Sequence, residues 1–318
     1  MTAWPKQRDL GVGVGLRVPH YAAILAQRPA VDFFEVISEN FMVGGGKPLY
    51  HLDRVLEHYQ VVQHGVSLGI AGPDEPDREY LTRLKQLLAR TKTPWVSDHF
   101  CWSGAGGAHL HDLLPIPYTA EAVRRTVERA RMIQDFLELP FALENTSSYL
   151  TFRSSTLSEW EFITEVAERA DIGLLLDVNN VYVSAHNHGF DAEQFLASVP
   201  HERVVQVHLA GHTNLGKYII DTHRGAVSEP VLELYRQTIA RTGPVSTIVE
   251  WDDDIPELPV LLAEAERARQ VRNEGLALWS GQSIEPRRWS LATAPVSDAR
   301  SPWRQGGPRE SASEEIVG

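Results

Sequence analysis

The chain is almost without cysteine: Cys101 is the only one in 318 residues. That excludes an internal disulfide framework and any zinc or iron–sulfur site built on thiolates, so a metal here must be held by nitrogen and oxygen. Uninterrupted apolar runs of the ~20 residues that cross a bilayer are also missing, and the N-terminal MTAWPKQRDL lacks the apolar stretch of a signal peptide. A cytoplasmic protein is the expectation. Basic residues are the minority, 30 Lys and Arg against 42 Asp and Glu. The formal charge of −12 provides no basic footprint for nucleic acid or an anionic membrane. Bound cations would neutralise part of it.

What the chain does have is alternation. Eight short apolar runs, near 11–17, 32–38, 61–68, 95–101, 141–145, 173–179, 204–210 and 245–251, are separated by amphipathic segments such as AEAVRRTVERARMIQDFL (120–137) and SEWEFITEVAERA (158–170). In 120–137, Val123, Val127 and Ile133 or Met132 fall at helical spacing on one side, and Arg124, Arg125, Glu128 and Arg131 fill the other. Strand and helix in unbroken alternation, with 43% hydrophobic residues, predict an α/β fold: one closed (β/α)8 TIM-like barrel of ~250 residues. The expected organisation is an N-terminal extension at 1–10, the barrel at 11–273, and a C-terminal extension at 274–318. The last is rich in Pro, Ser, Gly and charge and is expected to be mostly disordered. The run GVGVG resembles a nucleotide loop, but it lies inside the first strand. It lacks the strand-then-GxGxxG order and a later acidic ribose partner, so dinucleotide binding is not expected. Two Gly-rich segments, 42–48 and 103–117, read as loops that rim or cover a site.

At least six of the eight runs end, in the same phase, in a carboxylate or a histidine: EVISEN (35–40), VVQHG (His64), WVSDHF (Asp98, His99), FALEN (Glu144, Asn145), LLLDVNN (Asp177, Asn179, Asn180), VVQVHLAGH (His208, His212) and STIVEWDDD (Glu250, Asp252). Side chains alternate across a strand, so Ser97 shares a face with His99, Ala142 with Glu144, Leu175 with Asp177, Gln206 with His208, and Ile248 with Glu250 and Asp252. Any one of these groups is ordinarily satisfied by a neighbour. As a set they converge on one barrel mouth, where four or more carboxylates repel one another unless cations sit between them. The segment IIDTHRG adds Asp221 and His223, two apart and on one side of an extended chain. Eight or more nitrogen and oxygen donors are too many for one ion and enough for two or three, and the share of carboxylates leans toward iron or manganese. Asn180, His186 and His188 are further candidates, the two histidines reading equally as exposed loop residues. Asn145 and Asn179 read as partners that orient ligands. Cys101 reads as a small packing residue, and His109 and His111 lie in the second Gly-rich segment.

The strings HGVSLG, SDHFCW, LENTSSY, DVNNVYVSAHNHG, HLAGH, DTHRG and VEWD, in this order and spacing from about residue 11 to 272, closely resemble the multinuclear non-haem iron-dependent oxidative enzymes of the methanobactin-biosynthesis type, formerly an uncharacterised TIM-barrel family. The resemblance implies two or three irons cycling between Fe2+ and Fe3+, dioxygen as co-substrate, and oxidation of a residue, most often cysteine, in a ribosomally made precursor peptide. By motif match it implies His64, His99, Glu144, Asp177, His208, Asp221, His223 and Glu250 as iron ligands. Asn180, His188, His212, Asn145 and Asp252 are then additional or supporting residues. It further implies a separate partner protein that captures the precursor's leader. The rival readings are a metal-dependent hydrolase or isomerase of the endonuclease-IV or sugar-isomerase barrel type, and a non-catalytic barrel that binds metal or peptide.

Overall fold

All eight apolar runs become strands of one sheet. In the computed structural model, which describes residues 6–283, the chain begins β1 (Val12–Gly15), α1 (Tyr21–Gln27), β2 (Phe33–Ile37), α2 (Lys47–Leu56), β3 (Gln60–His64), α3 (Arg78–Thr91) and β4 (Val96–His99). A hairpin of β5 (Trp102–Ala105) and β6 (Ala108–Leu114) precedes α4 (Ala120–Leu137), β7 (Phe141–Glu144), α5 (Glu159–Ala170) and β8 (Gly173–Asp177). Then come α6 (Val178–His188), α7 (Ala192–Ser198), β9 (Val204–Leu209), the short pair β10 (Thr213–Asn214) and β11 (Ile219–Ile220), α8 (Glu229–Thr242), β12 (Ser246–Val249) and α9 (Leu258–Trp279). The long strands close in the order β1-β12-β9-β8-β7-β4-β3-β2, and every pairing between them is parallel. This is the expected α/β barrel.

The helices pack their apolar stripes outside it. In α4, Val123, Val127, Ala130, Ile133 and Leu137 are buried while Met132 is 39% exposed, which decides the stripe for Ile133. Thr119 opens that helix by accepting from the Ala122 N–H, and Ser158 with Glu161 makes a full capping box on α5. Such a cap contributes about 1 kcal/mol.

Inside the barrel, residues alternate by layer. Phe33, Val62, Trp95, Ala142, Val205 and Ile248 form an apolar floor, each at most 3% exposed. Along β1 the interior face carries Gly13 and Gly15, while Val12 and Val14 join the outer core. A Cβ at Gly13 would meet the Phe33 carbonyl at 2.4 Å and Ile248 at 3.0 Å, so the floor itself demands glycine there. That accounts for the GVGVG run without a nucleotide. The register between β8 and β9 skips a residue after Leu174, and this bulge lets both Val205 and Gln206 face inward.

Three expectations are corrected. The Gly-rich segment 103–117 is mainly a β-hairpin, because two of its three glycines, Gly106 and Gly107, sit at the turn, both with positive φ. The run ending in DVNN stops being strand at Asp177, which serves at once as last strand residue and as N-cap of α6. His186 and His188 therefore lie on a helix and not in a loop. At the C-terminus α9 continues to Trp279, past residue 273, where the apolar period weakens. Expectations for residues 1–5 and 284–318, including most of the C-terminal extension, fall outside the described residues.

Candidate metal centre

Above the apolar floor the interior turns polar. Glu35, His64, Ser97, His99, Glu144, Asp177, Gln206, His208 and Glu250 are all buried, none more than 7% exposed. Their donor atoms fall into three groups, each with ligand atoms within 4.8 Å of one another: His64, His99 and Glu144; then Glu144, Asp177, His208 and Glu250; then His223, Glu250 and Asp252. Glu144 belongs to the first two groups and Glu250 to the last two. The structure thus draws together seven of the eight residues expected from sequence. The eighth, Asp221, abuts the third group, its Oδ1 3.1 Å from His223 Nε2.

The histidines are held from behind. His99 Nδ1 donates to the Gly65 carbonyl at 3.1 Å, and its Nε2 is aimed at Glu144 Oε2, 3.2 Å away. His64 Nδ1 pairs with Ser97 Oγ at 2.9 Å, and its Nε2 lies 3.1 Å from the same Glu144 oxygen and 3.2 Å from His99 Nε2. His208 is turned the other way round. Its Nε2 faces Glu35 at 3.0 Å, and Nδ1 looks into the centre, 3.1 Å from Glu250 and 3.4 Å from Glu144. An imidazole whose outer nitrogen is held by a fixed partner and whose inner nitrogen faces the centre is the arrangement metal-ligating histidines require. Glu35 continues downward: Gln206 Nε2 donates to it, and Trp95 Nε1 donates to Gln206 Oε1 at 3.0 Å.

The inner atoms are left short of partners. Glu144 Oε2, Asp177 Oδ2, Asn180 Oδ1 and His208 Nδ1 are buried with no partner in hydrogen-bond geometry, although His208 and Glu144 lie close to opposite charge. Orphaned lone pairs at this density are costly unless a cation collects them. This observation fits a metal to the donor set.

Electrostatics says the same. At His64 burial opposes the charged ring, but Glu144 and then Glu35 outweigh it, and its pKa rises to about 9. His208 and His223 are likewise raised well above the usual imidazole value. For both, burial is the largest influence and opposes the charge, but Glu250, Glu35 and Glu144 overcome it at His208, and Asp221 and Glu250 do so at His223. Burial would lift Glu144, yet His208, His99 and His64 pull it well below the carboxylate range, and His208 and His223 do the same to Glu250. Asp177 goes the other way, pushed well up by burial, Glu144 and Asp221. Protons occupy the roles that metal ions can take.

The supporting residues sort by contact. Asn145 brackets Asp177, accepting from its N–H at 3.0 Å and donating to its carbonyl at 2.9 Å. Asn180 donates to the Asn145 carbonyl, and its N–H caps Asp177 Oδ1 at 2.6 Å. Asn179 connects His212 Nδ1 (2.8 Å) to Asp221 Oδ1 (2.8 Å). His212 leans on Tyr182, and burial lowers its pKa. Asp252 accepts from Arg17 and lies 3.2 Å from His223 Nδ1. His188 instead pairs with Ser148 and joins none of the three groups. Cys101 is fully buried, and burial with nearby Asp98 pushes its thiol well up, so it packs and does not react. Glu35 and Arg17 were not expected among the site residues. Glu35 lies two residues before its strand's end, and only the inward count along β2 singles it out.

A parallel (β/α)8 barrel with linked His and carboxylate groups at the C-terminal ends of its strands defines a barrel able to hold metal at its mouth. The chain belongs to the family of RiPP precursor modification enzymes MbnB/TglH/ChrH, which it matches over residues 11–273. It is 51% identical over 271 residues to a UPF0276 protein of Anaeromyxobacter sp. (strain Fw109-5), covering 85% of this chain and 96% of that one. A UPF0276 protein of Caulobacter vibrioides is 52% identical over 260 residues, covering 81% and 93%. Among solved structures, a D-tagatose 3-epimerase-like protein superposes with a TM-score of 0.57 at 14% identity over 85% of this chain and 98% of that one. A D-psicose 3-epimerase from Clostridium cellulolyticum H10 does so at 0.53 and 13%, covering 84% and 99%. These two likenesses are of fold. No helix among the described residues is long and apolar enough to cross a membrane.

Proposed function

We propose that this enzyme oxidises a residue, most often cysteine, of a ribosomally made precursor peptide, using two or three irons and dioxygen. The observation that supports this best is the sharing of Glu144 and Glu250 between adjacent donor groups. A carboxylate common to two groups would be able to serve an ion in each, and two such carboxylates in series would suit a multinuclear centre rather than a single isolated ion. The ligands assigned are His64, His99, Glu144, Asp177, His208, Asp221, His223 and Glu250, with Asp252 and His212 beside them. Bound iron would supply the electrons for dioxygen reduction, a task for which the protein offers no side chain of its own.

The chain's own part is to hold and to exclude. Glu35 and the Gly65 carbonyl turn imidazole nitrogens toward the centre, Asn145 and Asn180 fix Asp177, and the apolar floor closes the barrel below. A flexible peptide loses chain entropy when it presents one residue at such a mouth. A separate leader-binding protein therefore raises the local concentration of that residue.

The test is metal analysis after anaerobic purification, followed by dioxygen uptake with the precursor peptide, with and without a co-encoded partner. Two or more irons per chain and peptide-dependent uptake stimulated by the partner are expected. Full turnover with zinc or manganese alone and no oxygen consumed would instead favour a hydrolase or isomerase. Metal without any turnover would favour a binding barrel.

A further inference from the structure

Among the described residues, the third donor group is the one with a carboxylate, Asp252, hydrogen-bonded by a guanidinium. Arg17 Nε donates to Asp252 Oδ1 at 2.7 Å, Nη2 reaches the same oxygen, and Nη2 lies 3.8 Å from Glu250 Oε1. The arginine side chain is only 10% exposed. Asp252 is taken on both sides, since its other oxygen lies 3.2 Å from His223 Nδ1. A charge that is buried and paired in this way is not a solvated surface group; it neutralises the carboxylates it touches.

The chain makes room for it. Arg17 lies two residues beyond Gly15, on the same interior face. A Cβ at Gly15 would sit 2.7 Å from Arg17 Nη1 and 2.8 Å from Cζ. Gly15 is an ordinary strand residue without positive φ, so its backbone does not call for glycine. The missing side chain is the cradle in which the guanidinium lies.

We propose that Arg17 is a built-in competitor for the third metal ion, so that the barrel retains two ions firmly and a third only weakly and exchangeably. This rests on the metal-binding reading above. Among the described residues no arginine or lysine pairs with Glu144 or Asp177, and Glu250, which the second group shares with the third, meets Arg17 only at 3.8 Å. The third must give up an arginine contact, and arginine does not deprotonate. Loading the third ion therefore requires Asp252 or Arg17 to turn aside.

Manganese(II), which does not consume oxygen here, is the probe. The full-length apo-protein, Arg17→Gln and Gly15→Ala are dialysed anaerobically against graded manganese, and bound metal per chain is counted, with circular dichroism as the check on folding. Two ions should load alike in all three proteins. The midpoint for the third should fall at least about tenfold in Arg17→Gln, the effect of removing one like charge from a partly buried site. Gly15→Ala, which keeps the arginine and denies it its cradle, should shift the midpoint in the same direction. A third ion bound no tighter, or more weakly, in both variants would overturn the proposal and leave the metal centre standing. If no manganese binds to any of the three, the metal reading falls and the proposal with it.

Discussion

A histidine that binds metal needs something to hold its far nitrogen, and in this centre that something differs at each ring: a hydroxyl, a carbonyl, a carboxylate. Glu35 is the most consequential, because it is charged and itself buried. Glu35→Gln should lower metal affinity about 10–100-fold without unfolding the barrel, measured by competition with a chelator. An unchanged affinity would show that Gln206 and the ring packing suffice to orient His208. Glu144→Gln and Asp177→Asn go further, since Glu144 is common to the first two donor groups and Asp177 belongs to the second. Both should abolish turnover and lower metal content while the circular dichroism spectrum stays native, and wild-type turnover in either would make that residue structural. A third residue works by pH. Burial raises the Glu159 carboxyl to about 8, with the Tyr118 hydroxyl pulling the other way. Glu159 as a residue is part-exposed, but its carboxyl is enclosed. Its folded-state pKa lies above the unfolded value near 4.5, so the folded chain holds this proton more tightly. The stability gained is complete below about 4.5 and is lost as pH rises through about 8. Glu159→Gln should therefore stabilise the protein relative to wild type at pH 9 and not at pH 5, read as melting temperature. Equal shifts at both pH values would contradict this.

At the scale of elements, the sequence was most legible where period and parity coincide. Seven of the eight barrel strands lie within the expected runs, and β3 starts one residue before its own, because each must present an alternating face inward and an apolar face to the helices. Elements built on turns were less legible. The hairpin of β5 and β6 was hidden by its glycines, and α6 was hidden because a strand and a helix meet at Asp177 without a loop. The HLAGH string is a related case. A Cβ on Gly211 would fall 2.2 Å from the Arg224 carbonyl oxygen and 2.5 Å from that of Gly225, backbone against backbone, with no flexible side chain to yield. Gly211→Ala should push away the segment that carries His223. Metal bound near His223, Glu250 and Asp252 should be lost while the ion at His64, His99 and Glu144 stays. The check is metal stoichiometry together with a lowered melting temperature, and full stoichiometry would show that the segment relaxes freely.

For the whole molecule, the proposed metal and the fold would be linked through charge. A barrel with raised His64, His208 and His223 carries protons where the proposed ions would sit, so loading metal at neutral pH should release them. Affinity should rise with pH up to about 9, where His64 loses its proton in the folded chain, and level off above it. The apo fold moves oppositely. A raised imidazole pKa stabilises it fully below about 6.5, and that contribution fades as pH climbs through about 9. Metal at 100 times its dissociation constant should stabilise the fold by about 2.7 kcal/mol. Scanning calorimetry of chelated and reloaded protein across this range checks both statements, and a melting temperature indifferent to metal would refute them.

The amino-acid sequence alone determined the number of barrel strands, the phase of their side chains and the kinds of ligand available. All three follow from local rules, alternation along a strand and the near absence of thiol. Tertiary structure decided which ligands meet. Glu144 and Glu250 become shared only when β7, β8, β9 and β12 stand side by side in register, and no spacing along the chain encodes which carboxylate will be common to two groups. Arg17 is the extreme case. It reaches Asp252 across 235 positions because β1 pairs with β12 to close the barrel, so the cation at the third group is a consequence of closure and is invisible in either segment read by itself.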